Sequence, residues 1–343
     1  MADGTLGVAI HGAGWVAHAH AASWLKNPHV EIVSVSDIDP SRATRFVEEF
    51  GLHCPARTDY EQVLRDARVD VVDITGPNHV HAEQGIAAAQ AGKHILVEKP
   101  QALTMAENRA LRDAVRQAGV KSLAGFVLRW NPAVETIKSL IGGGGIGQLL
   151  YVEADYWHRM PTTHHAWHLH SRRKTGGSAM LLVGCHAVDT LRWLTGDEVI
   201  EVSALGNNWR GLFEYEANVA AVLRFRSGIV GKVSVLLDCA MPYTFNVDVA
   251  GTEGTIRDNR VWSKKVLPGQ TGWTTIPTIL PDSGDVRHHP FDAEINHFVT
   301  CIRENRESHC NVADAYQSHE LCMAIDRSLL DRGRPVALPL SGD

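Results

Sequence analysis

A chain of 343 residues is longer than one compact core usually takes, and it suits two domains of about 120 to 200 residues each. With 44% hydrophobic and 21% charged residues it reads as an ordinary globular protein, and a formal net charge of −6 provides no broad basic field for nucleic acid or anionic lipid. No apolar run approaches about 18 residues and the N-terminus has no secretory pattern, so a cytoplasmic protein with a small-molecule partner is expected, binding neither nucleic acid nor membrane. The six cysteines are scattered without a C-x-x-C pair, which points to reduced thiols and to no thiolate metal site.

From Leu6 to about Leu128, short β-branched runs alternate with helical stretches. Strands are expected at "LGVAIHG", "VEIVSVSD", "VDVVDIT", "HILVEKP" and "SLAGFVL", with helices near residues 14–26, 40–50, 79–91 and 104–118 between them. Continuous apolar strands separated by helices predict a doubly wound α/β domain, a parallel sheet covered on both faces. After the break "GGGGIGQ" the strands lengthen: "LLYVEADYWH", "VIEVSALGNN", "ANVAAVLRFRSGIVGKVSVLLD" and "YTFNVDVAGTEGTIRDNRVWS", with hairpin signals at "RSGI" and "GTEGT". This predicts an α+β domain with a large open, mainly antiparallel sheet, broad enough to bury a face in a partner subunit. The expected division is 1–128 and 129–343. Two helical stretches between Phe291 and Leu330 and a short strand at "GRPVALP" form a tail that can pack back on the first domain.

The first strand runs into "GAGWVA", in which Gly12 permits a tight turn, Gly14 lets the backbone approach a pyrophosphate, and Ala17 allows close helix packing. Trp15 and Val16 open the helix, so strand, turn and helix follow in the order dinucleotide binding requires. Asp37 ends the second strand, before Ile38, where an acidic residue would bind the adenosine ribose hydroxyls. With Asp39 close by and no arginine immediately after the strand, NAD is favoured over NADP; the other reading of Asp37 is a helix N-cap before "PSRA". In "ITGPNHVHAE", Thr75, Pro77, Asn78 and His81 fall at the carboxyl edge of the sheet, where ligands of such folds bind; His79 reads more simply as a first-turn residue. In "VEKPQAL", Glu98 and Lys99 follow the fourth strand, and Pro100 biases Lys99 toward an extended conformation that sets its amine at the same edge.

"GGSAMLLVGCHAVDTLRWLTG" is apolar around nearly its whole circumference, which describes a buried helix. His186 and Asp189 within it read either as a hydrogen-bonded core pair or as a proton-transfer residue with its orienting carboxylate. Between the two sheets of motifs, "DYWHRMPTTHHAWHLHSRRK" offers Trp157 and Trp167 to stack on sugar faces, and His158, Arg159, His168 and Arg172 to reach hydroxyls or a carboxylate; ordinary packing explains each equally well. The histidine cluster has no H-x-x-x-H pair with an acidic third ligand, so no metal is expected.

These residues together resemble the Gfo/Idh/MocA oxidoreductases. The resemblance is carried by "GAGWVA", "GPNHVHAE", "VEKP", "GFVLRWNPAV", "GGSAMLLVGCHAVDTLRWLTG", "GTEGTI" and the tail "FDAEINHFVTCIRE...SLLDRGRPVALP", in the family's order over nearly the whole chain. It implies a Rossmann domain followed by an open-sheet domain, sheet-mediated dimers or tetramers, and NAD(P)-dependent oxidation or reduction of sugars, glycosides or polyols. It further implies that Lys99 is the substrate-binding catalytic lysine, before a cis proline, that His186 is the catalytic general acid/base, and that Arg129 and Trp130 stand near the nicotinamide. Two other functions are open to such a chain: a redox-neutral glycoside-modifying enzyme that recycles a bound NAD, and an NAD-binding regulator without turnover. The sequence departs from inositol dehydrogenase-like members at Leu182, where they carry an aspartate four residues before the histidine. Asp189 is the nearest carboxylate left to orient His186.

Overall fold

The computed structural model describes residues 4–278 and 289–341, and the chain forms two compact units. The first comprises residues 1–126 together with 291–317, the second 127–290 and 318–343.

In the first unit β1 (Leu6–His11), β2 (Val30–Ser36), β3 (Ala56–Arg57), β4 (Val71–Ile74), β5 (His94–Val97) and β6 (Ser122–Ala124) form one parallel sheet in the order β3-β2-β1-β4-β5-β6. This is the Rossmann arrangement, and the order reverses between β1 and β4, so a crevice opens at their carboxyl ends. Buried Ala9, Val33, Val72, Ile74, Ile95 and Val97 share a core with Leu111 of the helix Met105–Ala118. That helix starts where Thr104 and Glu107 form a reciprocal capping box and stops at Gly119, whose φ of +67° suits a residue without a side chain. The helices Trp15–Trp24, Pro40–Glu49 and His81–Gln90 stand within the stretches expected for them. The pair β3 and the helix Tyr60–Arg65 had no counterpart in the expectations, being too short for a periodic signal.

The strand expected over "SLAGFVL" pairs only through Ala124, and Val127–Trp130 is a 3-10 turn. Gly125 breaks it: a side chain there would stand 2.8 Å from Glu98 Oε1, so the chain trades strand continuation for room around a buried carboxylate.

In the second unit β7 (Leu149–Trp157), β8 (Val199–Asn207), β9 (Asn218–Phe225), β10 (Val230–Leu236), β11 (Thr244–Gly251), β12 (Thr255–Arg257), β13 (Arg260–Trp262), β14 (Thr274–Thr275) and β15 (Val336–Ala337) form a nine-stranded sheet. Its order is β14-β13-β12-β11-β7-β10-β9-β8-β15, antiparallel throughout except for the parallel pair β7 and β10. Burial alternates along β9, with Val219, Ala221, Leu223 and Phe225 buried and Val222 exposed. Cross-strand register puts Leu205, Ala220, Val222, Val230 and Lys232 on that second, more open face.

The buried stretch around His186 is less regular than a single helix. It passes from the short helix Arg173–Gly176 through a π-helical turn, Met180–Gly184, into the α-helix Cys185–Thr195. Gly184 closes the wide turn directly on β10, where a Cβ would be 2.6 Å from Val235 Cγ2. The helix ends at Gly196 in the left-handed conformation, φ +63°.

Candidate active site

Three loops at the carboxyl edge of the first sheet are tied to one another. β1 turns at Gly12 with φ +105°, and the Thr75 hydroxyl after β4 donates to Gly12 O at 2.7 Å. The His81 ring has Nδ1 2.8 Å from Pro100 O and Nε2 2.8 Å from Gly76 O, joining the loop after β4 to the loop after β5. Burial holds the His81 pKa below the usual histidine value despite these two carbonyls. The Lys99–Pro100 peptide is cis, and the Lys99 amide donates to Glu98 Oε2 at 3.0 Å. Gly12, Gly14, Thr75, Pro77, Asn78, His81, Glu98 and Lys99 thus share one edge, as their motifs predicted.

Gly12 is the tightest point. A Cβ there would lie 2.6 Å from Gly76 N, backbone against backbone, at a φ that L residues rarely adopt. Gly12→Ala is expected to cost about 2 kcal/mol or more and to abolish saturable NAD binding, as checked by thermal melting with and without the nucleotide.

The helix Trp15–Trp24 begins at Gly14 with no side-chain cap and no acidic residue in its first turn. The nearest atom to a Cβ on Gly14 would be Thr75 O at 3.9 Å, so the approach is open. Uncapped N–H groups at a helix N-terminus, with the positive end of its dipole, fit a pyrophosphate. Asp37 is buried beside this loop: Oδ2 accepts the Ala13 amide at 2.8 Å and Oδ1 the Asp39 amide at 2.9 Å. The capping role that was open to Asp37 belongs to Asp39, which accepts the Ser41 amide at 2.9 Å. Ile38 beside it is 93% exposed and Trp15 is 55% exposed, leaving both faces free for a flat ring. Asp37→Ala is expected to weaken NAD binding about tenfold or more and NADP binding much less, measured as two dissociation constants by nicotinamide fluorescence.

In the second unit His186 is buried at the start of its helix, against the sheet. The Tyr156 ring stacks on it at 5.9 Å and 9°, and the His289 ring lies 5.9 Å away. Tyr243 meets Tyr156 at 5.0 Å, His158 at 5.4 Å and His289 at 6.3 Å, so five aromatic rings gather there. Burial pushes the Tyr156 and Tyr243 hydroxyls well above the usual tyrosine pKa, keeping them as neutral hydrogen-bonding groups. Of the substrate candidates, His158 joins this group. Trp157, one residue from Tyr156 on a strand, points to the opposite face and donates to Ser234 Oγ at 2.8 Å. Trp167 packs edge-on to Phe213 at 4.9 Å, His168 is exposed, and Arg172 pairs with Glu214 at 2.6 Å. None of these three has a described contact with the His186 group.

Asp189, expected to orient His186, is engaged elsewhere. Its Oδ2 accepts Arg129 Nε at 2.7 Å, and its Oδ1 accepts Arg129 Nη2 at 2.6 Å and Ser318 Oγ at 2.7 Å. Arg129 and Trp130 are themselves buried, and the Arg129 guanidinium lies 5.1 Å from the Trp193 ring centre. Among the described residues no group of three or more His, Cys, Asp or Glu side chains is placed to hold a metal ion, and no helix is long and apolar enough to cross a membrane.

Comparison with known proteins decides the family. The family model described as an oxidoreductase family with an NAD-binding Rossmann fold matches residues 6–126, and a GFO/IDH/MocA C-terminal domain matches residues 134–257. The chain belongs to the Gfo/Idh/MocA oxidoreductases. It is 29% identical over 335 residues to scyllo-inositol 2-dehydrogenase (NAD(+)) of Bacillus subtilis, covering 96% of this chain and 95% of that protein. It is also 29% identical over 287 residues, 73% of each chain, to levoglucosan dehydrogenase of Pseudarthrobacter phenanthrenivorans. A solved structure of levoglucosan dehydrogenase in complex with NADH superposes with a TM-score of 0.88 at 26% identity, covering 98% of this chain and 100% of that one. The first unit of this family member is therefore an NAD-binding domain. The residues that reasoning from sequence passed over are Tyr156, Tyr243 and His289 around His186, and His20 and Asp73 beneath β4 and β5. Strand alternation already demanded that only one of Tyr156 and Trp157 face the helix, and the choice between them was the missing information.

Proposed function

We propose that this oxidoreductase moves a hydride between a carbinol carbon of a sugar, glycoside or polyol and NAD. Lys99 carries the reading: a lysine whose amide is anchored on Glu98, on the same sheet edge as the glycine turn and the uncapped helix start that suit a pyrophosphate. The bound nucleotide supplies the hydride acceptor or donor at its nicotinamide ring.

The protein's own groups handle the rest of the charge. As the carbinol hydrogen departs, the hydroxyl must lose a proton and its oxygen develops alkoxide character. In this proposal the Lys99 ammonium binds and orients that oxygen, and His186 takes the proton during oxidation and returns it during reduction. Tyr156, stacked on His186, limits the tilt of the imidazole, and the aromatic wall of Tyr156, Tyr243 and His289 keeps bulk water from the proton. Leu182 is buried on the π-helical turn, so that position supplies an apolar contact where inositol dehydrogenase-like members have a carboxylate. A substrate with fewer hydroxyls than an inositol, such as an anhydrosugar, fits that change. Assembly through the open face of the second sheet belongs to the same proposal, supported by exposed Leu205, Val222 and Val230 on it.

The test is a screen of anhydrosugars, inositols, pyranoses and glycosides with NAD, read as NADH fluorescence. Net NADH from a free sugar or polyol is the expected result. Glycoside cleavage without net NADH would overturn it in favour of recycled cofactor, and nucleotide binding without any turnover would favour a regulator.

A further inference from the structure

Beneath Lys99 lies a fully buried set of ionisable groups that the proposed chemistry does not use. His20, on the helix Trp15–Trp24, and Asp73, on β4, are 0% exposed. His20 Nδ1 is 3.0 Å from both Asp73 oxygens, and the Trp24 indole donates to Asp73 Oδ2 at 2.7 Å. On the other side His20 Nε2 is 3.2 Å from Glu98 Oε1, a charge contact somewhat off the hydrogen-bond line. Glu98 Oε2 in turn accepts the Lys99 amide at 3.0 Å.

With a carboxylate at each ring nitrogen, a neutral imidazole would turn one lone pair toward a negative oxygen. Only the doubly protonated ring satisfies both sides. Burial alone would discharge His20, but the charge and hydrogen bond of Asp73, with those of Glu98, outweigh it and hold its pKa well above the usual value. Glu98 answers in kind: burial opposes its ionisation, yet His20, Lys99 and His81 together keep its carboxyl below the usual range.

Resting on the function proposed above, we propose that His20 is a positioning residue for Lys99: as an imidazolium clamped between Asp73 and Glu98, it fixes the carboxylate that anchors the Lys99 amide. Three more features of the site agree. Gly125 leaves the space that Glu98 occupies, since a Cβ there would meet Oε1 at 2.8 Å. Phe291 closes the cluster from the helix Phe291–Arg303, its ring 5.0 Å from that of His20. From the same helix comes Glu294, fully buried and without a described hydrogen-bond partner; burial first, then the Glu98 and Asp73 charges, raise its pKa far above the carboxylate range, so it stays a neutral acid. The groups facing Glu98 and His20 are thus Asp73 from β4, Glu294 from that last helix, His81 from the helix His81–Gln90, and Lys99 itself. With Asp73 and Glu98 negative, His20 positive and His81 and Glu294 neutral, the set behind Lys99 carries one net negative charge.

The bridge is tested on the full chain without substrate. In protein labelled with 15N-histidine, the His20 ring signals, assigned by their loss in His20→Gln, are expected to show both nitrogens protonated at pH 8. A single-tautomer pattern in the unsubstituted protein would overturn the proposal. With a substrate that is turned over, Glu98→Gln is expected to lower kcat by about tenfold with KM within about threefold. An unchanged kcat would also overturn it. If His20→Gln does not fold, its signals are assigned instead through Glu98→Gln, in which the His20 pattern is expected to become that of a neutral ring. Absence of turnover with every sugar and polyol would sink the function proposed above while leaving the His20 signals able to decide this one.

Discussion

Lys99→Ala is expected to lower kcat by about 10³-fold while leaving the NAD dissociation constant within about threefold. A positioned acid or base typically contributes 10²–10⁴-fold, and one preorganised donor on a developing oxyanion about 10²–10³-fold. In the proposed mechanism Lys99 is such a donor, most valuable where the alkoxide forms and least in the ground state, so the loss falls on kcat more than on KM. The groups proposed to hold the nucleotide are others: the uncapped helix after Gly14, the Gly12 turn and Asp37. The hydrogen bond from the Lys99 backbone amide to Glu98 survives the substitution, so the loop keeps that anchor. Steady-state NADH formation and nucleotide titration on the same preparation check both halves. Turnover within tenfold of the unsubstituted enzyme would remove Lys99 from the chemistry.

What was legible in the sequence was what local physics controls. β1, β2, β4 and β5 are apolar on both faces because helices cover both, and a glycine turn at φ +105° admits hardly any other residue, so "GAGWVA" announces itself. The hairpin between β9 and β10 was marked by Gly228 at φ +95°. Lys99 and His186 were visible because proline and an apolar helix make their surroundings unusual. What stayed hidden depends on distant partners. Asp189 looked like a partner for His186 because it is three residues away along one helix, but its actual partners, Arg129 and Ser318, are 60 and 129 residues away. A tail able to pack back on the first domain was expected, but not the contacts by which residues 291–317 join the first unit: Asp292 bonds Ser23 at 2.6 Å and Lys26 at 2.8 Å, which no local pattern encodes.

Asp189→Asn is expected to destabilise the second unit by about 3–5 kcal/mol, as removal of one partner from a buried ion pair does. The substitution keeps the shape but leaves the Arg129 guanidinium, 2% exposed, facing an amide that accepts only one of its two hydrogen bonds. At about 2–4 °C per kcal/mol, the melting temperature should fall by about 6–20 °C. The Ser318 hydroxyl, which links Asp189 to Arg192 Nη1 at 2.7 Å, loses its charged acceptor at the same time. Arg129→Met combined with Asp189→Leu is expected to recover more than half of the lost stability, because the desolvation cost disappears with both charges, Trp193 offers the new side chains an apolar neighbour, and Ser318 keeps its bond from Arg192. The double variant also separates structure from catalysis. If Asp189 acts only through Arg129, the recovered protein keeps kcat within tenfold and an unmoved acid limb in its pH profile. If Asp189 instead orients His186, stability returns while kcat stays depressed by about 10²-fold or more and the acid limb shifts, since the imidazole would have lost its orienting carboxylate.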